Sequence, residues 1–216
     1  MQLSVVGIGP GSDAYLVPAA LHVLADADIV IGYHYYFQFV SHLLKPGCEC
    51  IGRELSEEEA RAELAVNSCR PNTHVVVISS GDAGIYAMAS LVYEYAARQQ
   101  RTDIQLQTVP GISAFQAAAA RLGAPIGHDF CCLSLSDLMT PWATIEKRVT
   151  AAATGDFAIS LSTTIACDAM PRWPNCPACT VRRPTNFIVY ALPVGSTALA
   201  PSSDGKSIHV FSPLIV

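Results

Sequence analysis

The sequence predicts an α/β fold, with a mostly parallel sheet in its N-terminal part. Three observations carry this expectation. Strand-like and helix-like patterns alternate along residues 3–161. The run HVVVISS (74–80) lacks polar alternation, as a strand covered on both faces requires. Three strand-like runs end in glycine turns: GIGPGS (7–12), SSGDAGIY (79–86) and VPGISA (109–114).

The elements follow in order. LSVVGIG (3–9) reads as the first strand. Asp13 to Leu24 reads as a helix, with Leu16, Ala20 and Leu24 at helical spacing. ADIVIGY (27–33) is a second strand, Tyr35 to Leu44 looks helical, and KPGC ends it. Glu54 to Asn67, rich in Glu and Ala, predicts a further helix before HVVVISS. A helix over Ile85–Gln99, a strand and turn in DIQLQTVPG (103–111) and an alanine-rich helix over Ile112–Leu122 follow. GAPIGHDFCCLSLSD (123–137) opens a new unit, Pro141 suits a helix start, and DFAISL (156–161) is another strand. The expected domains are therefore 1–122 and 123–216, with the boundary at Gly123–Pro125. After Leu161 the composition turns rich in Pro, Cys and Thr, and NFIVYAL and SIHVFSPLIV are the strand-like runs there.

Composition narrows the function. The chain has 216 residues, 51% hydrophobic and 14% charged, with a mean hydropathy of +0.33. That is enough to bury a sizeable core. A net charge of −5 weighs against nucleic acid as partner, because such binding rests on neutralising phosphates. No apolar run approaches the roughly 20 residues of a membrane span. The start, MQLSVVGIG, runs straight into a strand, so a cytoplasmic protein is expected. The eight cysteines then read as reduced thiols. Cys176-Pro-Ala-Cys179 is a lone C-x-x-C, with Cys167 and His209 at irregular spacing, and no metal is expected there.

The first turn, VVGIGPGS, invites comparison with nucleotide-binding loops. Gly7 and Gly9 fit the dinucleotide fingerprint, but its third glycine falls on Ser12. Pro10 removes an N–H where a pyrophosphate needs a donor. No acid follows ADIVIGY to hold a ribose, and no Gly-Lys-Ser/Thr completes a Walker loop. The turn is built for close approach, but not to a nucleotide phosphate. In an open α/β sheet, ligands sit beyond the carboxyl ends of the strands. All three glycine turns belong at that edge, where Ser80, Asp82 and Ser113 add short polar groups.

Together, VVGIGPGS, ISSGDAGIYAMA and VPGISAFQAAAARLGAPIGHDF resemble the tetrapyrrole (corrin/porphyrin) methylase family. GHDFCCLSLSDLMTPWATIEKR and IGYHYYFQFV are similar to one branch, the precorrin-3B C17-methyltransferases of cobalamin biosynthesis. The resemblance covers residues 3–161. It implies two α/β domains with a cleft, in which S-adenosylmethionine binds largely through backbone. The cofactor-binding residues it implies are Pro10, Ser80, Gly81, Asp82, Ile85, Ser113 and Ala114. Gly9, Gly11 and Tyr33 would face the tetrapyrrole substrate. Where the family usually has Gly-Asp-Pro, this chain has Gly81-Asp82-Ala83. A homodimer is the assembly the resemblance implies.

The implied reaction is methyl transfer to C17 coupled to ring contraction. The sulfonium donor is already activated and the acceptor carbon is enamine-like, so alignment and water exclusion are the main requirements. No Ser-His-Asp arrangement is legible in the sequence. Proton-transfer candidates are His128, Asp129 and Asp137, then Tyr33 and His34; each also has a plain structural reading as a strand opener, a cap or packing. Arg53, Arg121, Lys147 and Arg148 could pair with substrate carboxylates or be solvated surface charges.

After Leu161 the family's Tyr-Asn-Pro-Arg and long helix give way to STTIACDAMPRWPNCPACTVRRPTNF. A reading-frame change near codon 162 would leave the strand FAISL with an apolar edge. A diverged tail would instead supply strands from NFIVYAL and SIHVFSP. The alternatives to a C17-methyltransferase are a weakly active or non-catalytic remnant of the family, or another corrin methylase step at C11 or C20.

Overall fold

The computed structural model describes residues 1–124, 126–162, 188–191 and 208–211, the last two stretches as backbone. Contacts divide the chain into two compact units, Met1–Ser113 and Ala114–Val216.

The first unit is a five-stranded, fully parallel sheet. Its strands are β1 (Gln2–Gly7), β2 (Ile29–Tyr33), β3 (Glu49–Arg53), β4 (His74–Ser79) and β5 (Gln105–Val109), in the order β3-β2-β4-β1-β5. β4 is buried at all six positions, as its unbroken apolar run demands. Helices cover both faces. On one, α2 (Glu58–Ser68) and α3 (Met88–Arg98) pack Ala62, Val66, Ala89 and Val92 against Leu3, Val5, Ile31, Val75 and Val77. On the other, α1 (Pro18–Asp26) packs Ala20 and Leu24 with Val6, Val30, Val76 and Ile78.

Three local features differ from the sequence expectation. The helix expected over Asp13–Leu24 is a 3-10 turn, Asp13–Tyr15, followed by α1 from Pro18. Val17 is extended (φ −73°, ψ 147°), because a residue before proline is pushed out of the helical region. Tyr35–Leu44 forms two 3-10 turns, His34–Phe39 and Ser41–Leu43, broken at Val40. Aromatic and β-branched residues are weak helix formers, and Val40 turns fully into the core. β3 was not expected. It is an edge strand with Ile51 partly buried and its other residues exposed, so no apolar period marks it.

In the second unit, β6 (Phe130–Ser134), β7 (Ala158–Ser162), β8 (Ile188–Ala191) and β9 (Ile208–Phe211) form a parallel sheet in that order. α4 (Ala114–Arg121) opens the unit, and α5 (Trp142–Thr154) packs Ile145, Val149 and Ala153 on Leu135, Ile159 and Leu161. β8 and β9 come from the two strand-like runs of the tail. β7 is thus flanked by β6 and β8. Cys167, Cys176 and Cys179 lie outside the described residues.

Candidate functional site

Parallel strands bring the first unit's glycine turns to one edge. β1 ends at Gly7, β4 at Ser79 and β5 at Val109, and β1 lies between the other two. The turns interlock through backbone. Gly9 N–H donates to Gly81 C=O at 3.1 Å, and Gly81 N–H returns a bond to Gly9 C=O at 2.8 Å. Both glycines have positive φ, +70° and +64°, a region that costs a side-chain-bearing residue energy. Ile8 N–H adds a bond to Ser79 C=O at 2.9 Å.

Gly111 completes the stack. A Cβ built on it would strike Gly81 O and lie 2.8 Å from Gly7 C. Asp82 ties the third turn to the second: Oδ2 accepts from Gly111 N–H at 2.9 Å and Oδ1 from Gly84 N–H at 2.8 Å. Its carboxylate therefore organises backbone. Ala83, where the family usually has proline, is fully buried.

The expected cofactor and substrate residues of the first unit share this edge. Pro10 is buried; Gly11, Ser80, Gly81 and Asp82 are partly exposed; Ile85 is 43% exposed; Ser113 is buried at the end of the third turn. Ala114 opens α4 in the second unit. Tyr33 ends β2 at the same edge, half-buried among aromatic rings. Sequence reasoning passed over its neighbour Tyr36, whose phenol oxygen lies 2.9 Å from Ser80 Oγ. The signal was available: an aromatic run directly after a strand, at the edge that carries the glycine turns.

The proton-transfer candidates of the second unit are not brought together. His128 and Asp129 precede β6 at its amino end, both exposed, and Asp129 C=O accepts from Ala158 N–H at 3.1 Å. Asp137 follows the carboxyl end of β6. His34, at the edge of the first unit, pairs with Glu54 at 3.2 Å. Arg53, Arg121, Lys147 and Arg148 are all exposed.

A Ser-His-Asp line does occur, which corrects the sequence reading. Ser4 Oγ is 2.7 Å from His74 Nε2, and His74 Nδ1 is 3.1 Å from Asp26 Oδ2. Ser4 is fully buried, and its Oγ also accepts from Gln107 Nε2 at 2.8 Å. The line lies at the amino end of β4, away from the glycine turns. With Ser4 and His74 buried and Asp26 at the surface, the hydroxyl has no approach, and the line satisfies buried polar groups rather than supplying a nucleophile.

Residues 2–170 match the tetrapyrrole (corrin/porphyrin) methylases. The chain belongs to that family. It is 46% identical over 161 residues to the probable cobalt-factor III C(17)-methyltransferase of Salmonella typhimurium, covering 73% of this chain and 65% of the relative. It is 43% identical over 162 residues to the cobalt-factor III methyltransferase of Priestia megaterium, covering 74% of this chain and 30% of that one. The crystal structure of the methyltransferase CobJ superposes with a TM-score of 0.71 at 37% identity, covering 74% of this chain and 67% of the other. The chain thus spans less than two thirds of the length of these two curated relatives.

The methylase's glycine edge fits a sulfonium cofactor better than a phosphate. Pro10 offers no N–H there, Asp82 brings negative charge, and Gly9 and Gly81 spend their N–H groups on each other. The exposed or partly exposed groups of the second turn include backbone, the Ser80 side chain and apolar Ile85. Such a lining suits a ligand recognised by shape and a few hydrogen bonds. Among the described residues, no group of three or more His, Cys, Asp or Glu is placed to hold a metal, and no helix is long and apolar enough to cross a membrane.

Proposed function

We propose that this methylase transfers a methyl group from S-adenosylmethionine to C17 of a precorrin-3B-type tetrapyrrole in cobalamin biosynthesis, with contraction of the macrocycle. The observation that carries the reading is the interlocked glycine edge, where Gly9, Gly81 and Gly111 form one compact surface. The two relatives named for cobalt-factor III support a cobalt-containing substrate.

The cofactor supplies an activated methyl group. The chain's own residues bind, orient and exclude water. Pro10, Ser80, Gly81, Asp82, Ile85, Ser113 and Ala114 are the proposed cofactor contacts, and Gly9, Gly11 and Tyr33 the tetrapyrrole contacts. Ring contraction requires proton movement, for which His128, Asp129 and Asp137 are the proposed candidates. The exposed Arg53, Arg121, Lys147 and Arg148 are the proposed partners of substrate carboxylates.

Calorimetric titration with S-adenosylhomocysteine, followed by turnover with metal-free and cobalt-containing substrates, tests the proposal. Micromolar binding and methylation at C17 are expected. Methylation at C11 or C20 would reassign the step. A folded chain that binds no S-adenosylhomocysteine would select the second reading, a non-catalytic remnant, which the end of the family match at residue 170 favours. Light scattering on the same sample tests the proposed homodimer.

A further inference from the structure

Tyr36 joins the second glycine turn to the aromatic run that follows β2. Its phenol oxygen is 2.9 Å from Ser80 Oγ, a contact that spans 44 residues of sequence. Its ring meets the Tyr33 ring edge-on, with centroids 5.2 Å apart and planes at 87°. Tyr33 stacks on Tyr35 at 6.2 Å, and Tyr35 meets Phe39 edge-on at 5.9 Å. All four rings are half-buried, and Tyr36 and Phe39 pack against the core while leaving part of each ring at the surface.

Ser80 is held on both sides by backbone. Ser79 C=O accepts from Ile8 N–H, and Gly81 exchanges two hydrogen bonds with Gly9. The freedom that remains at Ser80 is rotation of its side chain and hydroxyl. Tyr36 removes it. A hydroxyl fixed before a ligand arrives spares the cost of ordering it on binding. Packing alone does not ask for this phenol, since Phe37 and Phe39 fill equivalent roles in the same run. The oxygen is the added element, and Ser80 is its partner.

We infer that Tyr36 is a positioning residue: its phenol orients the Ser80 hydroxyl for the cofactor, and its ring holds Tyr33 for the tetrapyrrole. One side chain thereby links the two subsites. The inference rests on the methyltransferase reading above.

The test is a double-mutant cycle read by calorimetric titration with S-adenosylhomocysteine. Tyr36→Phe keeps the ring and loses the hydrogen bond; it is expected to weaken binding about 3- to 10-fold, the range for one net hydrogen bond. Ser80→Ala should weaken binding at least as much. The double variant should bind no more weakly than Ser80→Ala alone, because Tyr36 acts through Ser80. Melting of Tyr36→Phe should match the wild type. Tyr36→Leu, which also frees Tyr33, should raise KM for the tetrapyrrole, whereas Tyr36→Phe should leave it unchanged.

Binding by Tyr36→Phe equal to wild type, or additive losses in the double variant, would overturn the link to Ser80. A lowered melting temperature with unchanged affinity would do the same, by making the contact merely structural. An unchanged KM in a folded Tyr36→Leu would overturn the link to Tyr33. A folded wild-type chain that binds no S-adenosylhomocysteine overturns the methyltransferase reading, and this inference with it. A wild type that binds, with Tyr36→Phe unaltered, overturns this inference alone.

Discussion

Asp82 accepts a hydrogen bond from Gly111 N–H at 2.9 Å, joining turns that follow two different strands. Its second oxygen holds Gly84 N–H at 2.8 Å. Asp82→Asn must turn an N–H toward one of these donors. The expected loss is about 1–3 kcal/mol, the range for losing a hydrogen bond to a charged group, the Gly111 contact being part-buried and the Gly84 contact exposed. Urea denaturation measures it. An unchanged midpoint would mean the turns do not depend on this carboxylate.

Gly111→Ala tests the close approach of the three turns. The new Cβ would strike Gly81 O and crowd Gly7, and backbone cannot rotate aside as a side chain can. The expected cost is at least about 3 kcal/mol, the upper end for overpacking. Circular dichroism against denaturant reads it, and a midpoint close to wild type would show that the turns can separate.

Acid should weaken the first unit through Asp28. The hydrogen bond from the Lys45 ammonium at 2.6 Å, then that from His74 N–H at 2.8 Å, hold its carboxyl below the ordinary 3.8. A group with a depressed folded pKa contributes stability in full above its unfolded value, and loses it as pH falls through the folded value. The loss is therefore expected below pH 3.8. Lys45, raised above 10.5 by the same bond, gives up its share only as pH climbs past that value. Asp28→Asn should flatten the acid limb of a stability–pH curve; an acid limb identical to wild type would refute the assignment.

The Ser4–His74–Asp26 line, buried at Ser4 and His74 and exposed at Asp26, predicts a split between stability and binding. Ser4→Ala leaves His74 Nε2 and the Gln107 amide without their shared oxygen, at a cost of about 1–3 kcal/mol. S-adenosylhomocysteine affinity should stay at the wild-type value, since the line lies at the opposite strand ends from the glycine turns. Hydrolysis of an activated ester by the wild type, abolished in Ser4→Ala, would restore the nucleophile reading.

Thiol labelling should separate the cysteines. Burial pushes the Cys69 thiol up to about 11, and its Sγ–H donates to Ala65 C=O at 3.3 Å. Burial, then the neighbouring Cys50, raises Cys48 to about 11 as well. At pH 8 roughly one such thiol in a thousand is the reactive thiolate. Brief alkylation mapped by mass spectrometry should spare both, and rapid labelling of Cys69 would show that the α2 end opens.

The alternating pattern and the unbroken run HVVVISS made the parallel sheet legible, because apolar period follows directly from which faces are covered. The three glycine turns were legible for a similar reason: glycine marks backbone that must pass close to something. β3 was not legible. An edge strand exposed on both faces carries no period, and its pairing with β2 is a non-local fact. Nor was the break at Val17 assigned, although Pro18 encodes it locally.

The sequence by itself determined the α/β class, most of the strands, the strand-end glycine turns and the family. These rest on local patterns of size, polarity and backbone freedom. Tertiary structure decided what each polar side chain does. It turned Asp82 inward to backbone, aimed Tyr36 at Ser80, and buried Ser4 beside His74. It also set Asp137 and the His128–Asp129 pair at opposite ends of β6. Hydrogen bonds depend on direction and distance between residues far apart in the chain, and those are fixed only once the strands have found their neighbours.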